Sequence, residues 1–151
     1  MASECLFVDA NLFLRYLTND VPAQAEALDR LLQRAAAGEV TLVTNALVMA
    51  EIVWTLESFY RLSPADIRPK VWAMLNTPGL EVAETELLGA AVDVYVEKNV
   101  DFIDAFNAEW MKRHGITTIC TLDRRHFGRL GGIRVADLTG QPAEGAGNRT
   151  P

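Results

Sequence analysis

The stretch Ile116-Thr-Thr-Ile-Cys-Thr-Leu122, followed at once by Asp123, is the clearest strand signal in the sequence. Its β-branched and apolar residues favour extended backbone, and the acid ends the run. A second run, Cys5-Leu-Phe-Val8, ends in the same way at Asp9. Continuous apolar runs are typical of strands that are covered on both faces, which is the usual environment of a parallel sheet.

Outward from these two strands, helical patterns separate the remaining β-like runs. The patterns predict short strands at 40–43, 80–82 and 133–135, and helices at 12–17, 22–37, 46–60, 64–76, 86–98 and 101–114. Strands that alternate with helices predict parallel β-α-β units with helices on both faces of one sheet. The expected fold is therefore α/β, with three α/β/α layers around a central parallel sheet.

Length and composition are those of one ordinary domain. Half of the 151 residues are hydrophobic, which is enough to form a core, and the domain is expected to span 1–138. Residues 139–151, rich in Gly, Pro and small polar types, are predicted to form a flexible tail. The net charge of -6 argues against a protein that simply coats nucleic acid. With no signal peptide and no membrane-length apolar run, we expect a soluble cytoplasmic protein.

The cysteines and histidines do not form a recognisable metal motif. Cys5 and Cys120 both lie in predicted strands, so we expect two reduced thiols in the core. There is no CxxC spacing, and His114 and His126 are isolated in the sequence. A zinc site is therefore not expected.

Two acids follow the two strongest strands. In an open parallel sheet, ligands bind beyond the carboxyl ends of the strands. If the strands ending at Asp9 and Asp123 are neighbours, both carboxylates lie at one edge of the sheet. Alternatively, each acid is an ordinary helix cap or turn residue.

Two further acids lie in apolar helical surroundings. Glu51, within Leu47-Val-Met-Ala-Glu-Ile-Val-Trp54, has no basic residue three or four positions away. A buried carboxylate there must be neutralised, paired or bound to a cation, unless a distant arginine or the solvent reaches it. Asp104 lies in Asp101-Phe-Ile-Asp-Ala-Phe106, where Asp101 is a plausible N-cap and Asp104 either a first-turn acid or a metal ligand.

Carboxylates that converge need a cation between them, and an oxygen-only ligand set suits Mg²⁺ or Mn²⁺. Such ions activate water and stabilise charge on phosphate oxygens, which points to phosphodiester hydrolysis. The segment 112–134 carries six basic residues and one acid, a local charge of +5. Basic residues near a metal site favour a polyanionic substrate, although those at a helix C-terminus also suit the helix dipole. The candidates for contact with an RNA backbone are Lys112, Arg113, Arg124 and Arg125.

Taken together, these motifs resemble the PIN-domain nucleases, over about residues 5 to 138. They are Asp9-x-Asn11, Ala50-Glu51, Asp101-Phe-Ile-Asp104-Ala105 and Thr121-Leu-Asp123. The size and order of elements look most like the VapC-type toxins of toxin–antitoxin pairs. The resemblance implies a Mg²⁺- or Mn²⁺-dependent ribonuclease in which Asp9, Glu51, Asp104 and Asp123 hold the metal and Asn11 and Thr44 support the site. Of the two acids at the helix start, Asp104 is expected to face the metal and Asp101 to be a supporting residue. It also implies a homodimer and an antitoxin that binds a groove between helices.

Two other functions are compatible with the sequence. Asp9-Ala-Asn11 resembles the nucleophile motif of haloacid-dehalogenase phosphatases, although that family usually has an aspartate where Asn11 stands. The second alternative is a non-catalytic RNA- or protein-binding module, in which the acids serve as caps and ion-pair partners. Trapping of a phospho-aspartate would favour the first alternative, and absence of any metal-induced stabilisation would favour the second.

Overall fold

The computed structural model describes residues 3–137, which alternate between strands and helices as the sequence predicts. The predicted tail at 139–151 lies outside the described residues. The elements are β1 (Glu4–Phe7), α1 (Ala10–Thr18), α2 (Pro22–Ala36), β2 (Val40–Thr44), α3 (Ala46–Ser58), α4 (Pro64–Leu75), β3 (Leu80–Val82), α5 (Thr85–Glu97), α6 (Phe102–Arg113), β4 (Thr118–Cys120), α7 (Arg124–Phe127) and β5 (Arg134–Ala136).

All strand pairs in the described chain are parallel, but they form two ladders rather than one. β1, β2 and β3 make a three-stranded sheet in that order, and β4 pairs with β5. Leu6 is in register with Leu42, and Leu42 with Leu80. The α/β class with parallel strands and flanking helices is confirmed. The strands that end near Asp9 and Asp123 are not ladder partners.

The core lies between the three-stranded sheet and the helices. Leu42 of the middle strand is fully buried, as are Leu28 of α2, Ile52 of α3 and Leu88 of α5. The helices begin where local chemistry favours it: Pro22 and Pro64 occupy first-turn positions, and the Ser63 side chain accepts a hydrogen bond from the Asp66 backbone. No helix within residues 3–137 is both long and apolar enough to span a bilayer.

Several burial predictions were wrong. β1 is largely exposed rather than covered on both faces, with Phe7 57% accessible. Cys5 and Cys120 are free, as expected, but exposed rather than buried in the core. Helix α3 was predicted to be buried on nearly all sides, yet Leu47 is 81% and Trp54 is 66% accessible. Apolar composition cannot tell a core face from a face left open on a single chain.

Candidate metal centre

Three side chains from two distant parts of the chain meet in one cluster. An oxygen of Asp104, an oxygen of Asp123 and a ring nitrogen of His126 all lie within 4.8 Å of one another. The Nδ1 atom of His126 lies 2.8 Å from Oδ2 of Asp104 and 3.4 Å from Oδ2 of Asp123. The Asp104 and His126 side chains are about one quarter exposed, and that of Asp123 about half. The cluster is therefore open to solvent and to a ligand.

Helix α6 carries Asp104 in its first turn, and the nearby Asp101 has a different role. Asp101 is the N-cap, and its Oδ1 accepts a hydrogen bond of 2.9 Å from the Ile103 backbone. Phe102 and Ala105 are buried, which fixes the rotation of the first turn. Asp104, in that turn, is directed to His126. The structure thus separates the two acids of this motif into a helix cap and a member of the cluster.

The short helix α7, which no sequence pattern predicted, supplies Asp123 and His126. Asp123 is its N-cap, and Oδ1 accepts from the backbone of Arg125 at 3.1 Å and of His126 at 3.3 Å. The Asp123 backbone N–H is in turn held by Thr121 Oγ1 at 3.0 Å. The capping interpretation of Asp123 is correct for one oxygen, while the other oxygen, Oδ2, faces His126.

Asp9 follows β1 and occupies the N-cap position of α1 without making a side-chain capping bond. It is exposed and has no ion pair or side-chain hydrogen bond within the described residues. Thr44 holds the backbone just before it. Thr44 is buried, and its hydroxyl donates to the Val8 carbonyl at 3.0 Å. The Val8 N–H donates to the Val43 carbonyl at 2.9 Å. Thr44 therefore positions Asp9 through the backbone.

Glu51 lies on α3 and is exposed, so the argument that burial would force it to find a cation does not hold. Its carboxylate has no partner among residues 3–137. Neither Glu51 nor Asp9 belongs to the cluster of Asp104, Asp123 and His126. The structure brings together two of the four predicted acids, and a joint four-acid site stays a prediction.

The exposed Asn11, on the first turn of α1, has no side-chain bond within the described chain.

The four basic candidates fall into two pairs. Lys112 and Arg113, in the last turn of α6, form ion pairs with Glu109 at 3.2 Å and with Glu86 at 3.5 Å. Arg124 and Arg125 follow Asp123 directly, are exposed, and form no ion pair within residues 3–137. These two arginines remain available to an anionic ligand beside the cluster.

The family to which the chain belongs follows from a comparison with known protein families. The model of the PIN domain family matches residues 6–133, which include every cluster member and both predicted acids outside it. The chain belongs to the PIN domain family. PIN domains are usually metal-dependent nucleases that use divalent ions. No curated protein matches the chain.

The cluster of this PIN domain fits a divalent ion by its donor set. Two carboxylate oxygens and an imidazole nitrogen lie close enough to act as ligands of one ion. No Lys or Arg neutralises Asp104 or Asp123 in the described chain, so their charge is available to a cation. Sequence reasoning missed His126. Its spacing of three residues from Asp123, within one helical turn, was the signal that could have found it.

Proposed function

We propose that this PIN domain is a cytoplasmic endoribonuclease that depends on Mg²⁺ or Mn²⁺. The observation that carries the proposal is the meeting of Asp104 and Asp123, from α6 and α7, in a cluster that no lysine or arginine of the described chain enters. Family membership supports a metal-dependent nuclease, and the exposed Arg124 and Arg125 support a polyanionic substrate. Membership of the PIN domain family also favours this proposal over the haloacid-dehalogenase alternative.

The four predicted acids have two roles in this proposal. Asp104 and Asp123 hold the metal, and Asp9 and Glu51 complete its surroundings when substrate is bound. When bound, a divalent ion lowers the pKa of an attacking water and stabilises charge on the phosphate. Thr44 fixes the backbone that carries Asp9.

The arginine side chains bind the RNA backbone by ionic contacts that carry no sequence information. Arg124 and Arg125 lie directly after Asp123, so a phosphate that they hold lies close to the cluster. The cleavage rate should therefore fall as salt is raised, because the counterions released from the phosphates gain less entropy when the bulk salt concentration is high.

Cleavage of a labelled RNA in Mn²⁺ tests the proposal. Asp104→Asn and Asp9→Asn should each reduce cleavage by about ten- to a hundredfold, because loss of a carboxylate at or beside the metal weakens metal binding and charge stabilisation. Asp29→Asn, the same change at an acid on α2, serves as the matched control and should cleave as wild type does. Equal cleavage by all proteins would mean a contaminating nuclease or a different site.

The toxin assignment is also part of our proposal, together with the partners that it implies. A cavity of about 350 Å³ lies between α1, α2 and α4, with Phe13, Leu17, Leu32 and Met74 in its lining. An apolar groove of this kind suits a helix of a small antitoxin protein. Expression of wild type should arrest growth, whereas Asp104→Asn should not. Growth at the same rate as the empty vector would contradict the toxin role.

A homodimer is the second proposed assembly. Leu47 and Trp54 of α3 and Ile103 of α6 are exposed apolar side chains, and such patches mark interaction surfaces. Light scattering should give twice the chain mass for wild type and a single chain mass for Trp54→Asp. A monomeric wild type would remove the dimer from the proposal without affecting the nuclease.

A further inference from the structure

His126 is the member of the cluster that the acidic motifs do not include. Its Nδ1 atom faces two acids rather than one. It lies near the Oδ2 atoms of both Asp104 and Asp123, at 2.8 and 3.4 Å. A histidine that only orients one ligand bonds one carboxylate from outside the site. Here the nitrogen is directed into the space that the two oxygens share.

Apart from the hydrogen bond between His126 and Asp104, which a bound ion would replace, these three atoms make no contact that prevents them from sharing one ligand. Asp123 uses its other oxygen, Oδ1, for the α7 cap. Asp104 has no hydrogen bond besides that to His126 within the described residues. The His126 side chain is 26% accessible, so its ring is reachable from solvent.

We propose that His126 binds the metal ion directly, together with Asp104 and Asp123, and that it makes the site prefer Mn²⁺ to Mg²⁺. This inference rests on the proposed function, since it concerns the same metal. Mg²⁺ is a hard ion that favours oxygen ligands and retains its waters. Mn²⁺ also binds carboxylates, but as a softer transition ion it accepts a nitrogen ligand more readily than Mg²⁺ does, so one imidazole among the ligands shifts the preference toward Mn²⁺.

Pulsed electron paramagnetic resonance of bound Mn²⁺ tests the direct bond, because it detects a coordinated nitrogen. The chain has two histidines, so His114→Ala is the matched control for His126→Ala. His114 is exposed and stacks on Trp110 at 3.9 Å, outside the cluster. Untagged protein without RNA is titrated with Mn²⁺ alone, and circular dichroism checks that each variant is folded.

We expect a nitrogen signal in wild type and in His114→Ala, and none in His126→Ala. Calorimetry should show that His126→Ala weakens Mn²⁺ binding by about tenfold or more, with a smaller loss for Mg²⁺. His126→Asn, a smaller change in shape, should give the same loss of the nitrogen signal.

These measurements distinguish failure of the His126 inference from failure of the proposed nuclease function. If Mn²⁺ binds wild type, Asp104→Asn abolishes this binding, and no nitrogen signal appears, His126 is not a ligand and the nuclease proposal stands. If wild type binds no Mn²⁺ at all, both this inference and the metal-dependent function are refuted. Equal losses for both metals in His126→Ala would overturn the claimed preference.

Discussion

The hydrogen bond from Thr44 to the Val8 carbonyl yields the sharpest stability prediction. Replacement of Thr44 by valine keeps the shape of the side chain and removes the donor of a buried bond of 3.0 Å. A buried acceptor that loses its partner costs about 1–3 kcal/mol. The added methyl group recovers up to about 0.8 kcal/mol. We therefore expect the free energy of unfolding to fall, by up to about 2 kcal/mol once the methyl contribution is subtracted.

Urea denaturation in the presence of a chelator measures this loss without any contribution from metal. The matched control is Thr41→Val on the same strand, because the Thr41 hydroxyl contacts Ser3 at the exposed surface, at 3.0 Å. The control should change stability by less than about 0.5 kcal/mol. Both variants gain the same β-propensity, so the difference between them isolates the buried bond. If Thr44→Val is no less stable than Thr41→Val, the bond does not stabilise the junction before Asp9.

Three further predictions concern the helices and one surface acid. Gly89→Ala should destabilise the fold by about 1–3 kcal/mol in thermal unfolding, because an added Cβ would overlap the Trp72 ring. Unchanged stability would mean that the ring moves aside at no cost. Asp101→Ala should lower the free energy of unfolding by about 1 kcal/mol, because the α6 cap is lost, and should leave Mn²⁺ binding intact. If calorimetry shows that Mn²⁺ binding is lost, Asp101 is a metal ligand instead. A hydrogen bond from the Tyr60 hydroxyl, together with interactions with Thr18 and Arg15, holds the pKa of Asp20 below its ordinary value of 3.8. The Asp20 carboxylate therefore stabilises the fold above pH 3.8, and this stabilisation is lost as the pH falls through the lowered pKa. Tyr60→Phe should raise the pKa of Asp20 toward 3.8, and a carboxyl NMR titration with no such rise would contradict the assignment.

Local patterns were enough to predict most elements, because helix ends and strand ends depend on nearby residues. The Pro64 helix begins at its predicted residue, and the 80–82 strand has its predicted bounds. The strand predicted at 116–122 is shorter, Thr118–Cys120, because it pairs only with the three residues of β5. Helix α7 was missed since four residues are too few to show a helical period.

Burial depended on the tertiary structure. An apolar run predicts that a segment has an apolar face, but which neighbours cover it depends on contacts between distant elements. For β1 and α3 those neighbours leave Phe7, Leu47 and Trp54 exposed. The same limit removed the argument for Glu51, because an exposed carboxylate is stabilised by water and needs no cation.

The sequence by itself determined the alternation of strands and helices, the family motifs and the acids Asp104 and Asp123, because each is encoded by residues close together in the chain. Only the tertiary structure decided that His126 joins those two acids and that Asp9 and Glu51 lie outside the cluster. The reason is geometric. Asp104 and His126 are 22 positions apart, and the hydrogen bond between them exists only once α7 folds against α6.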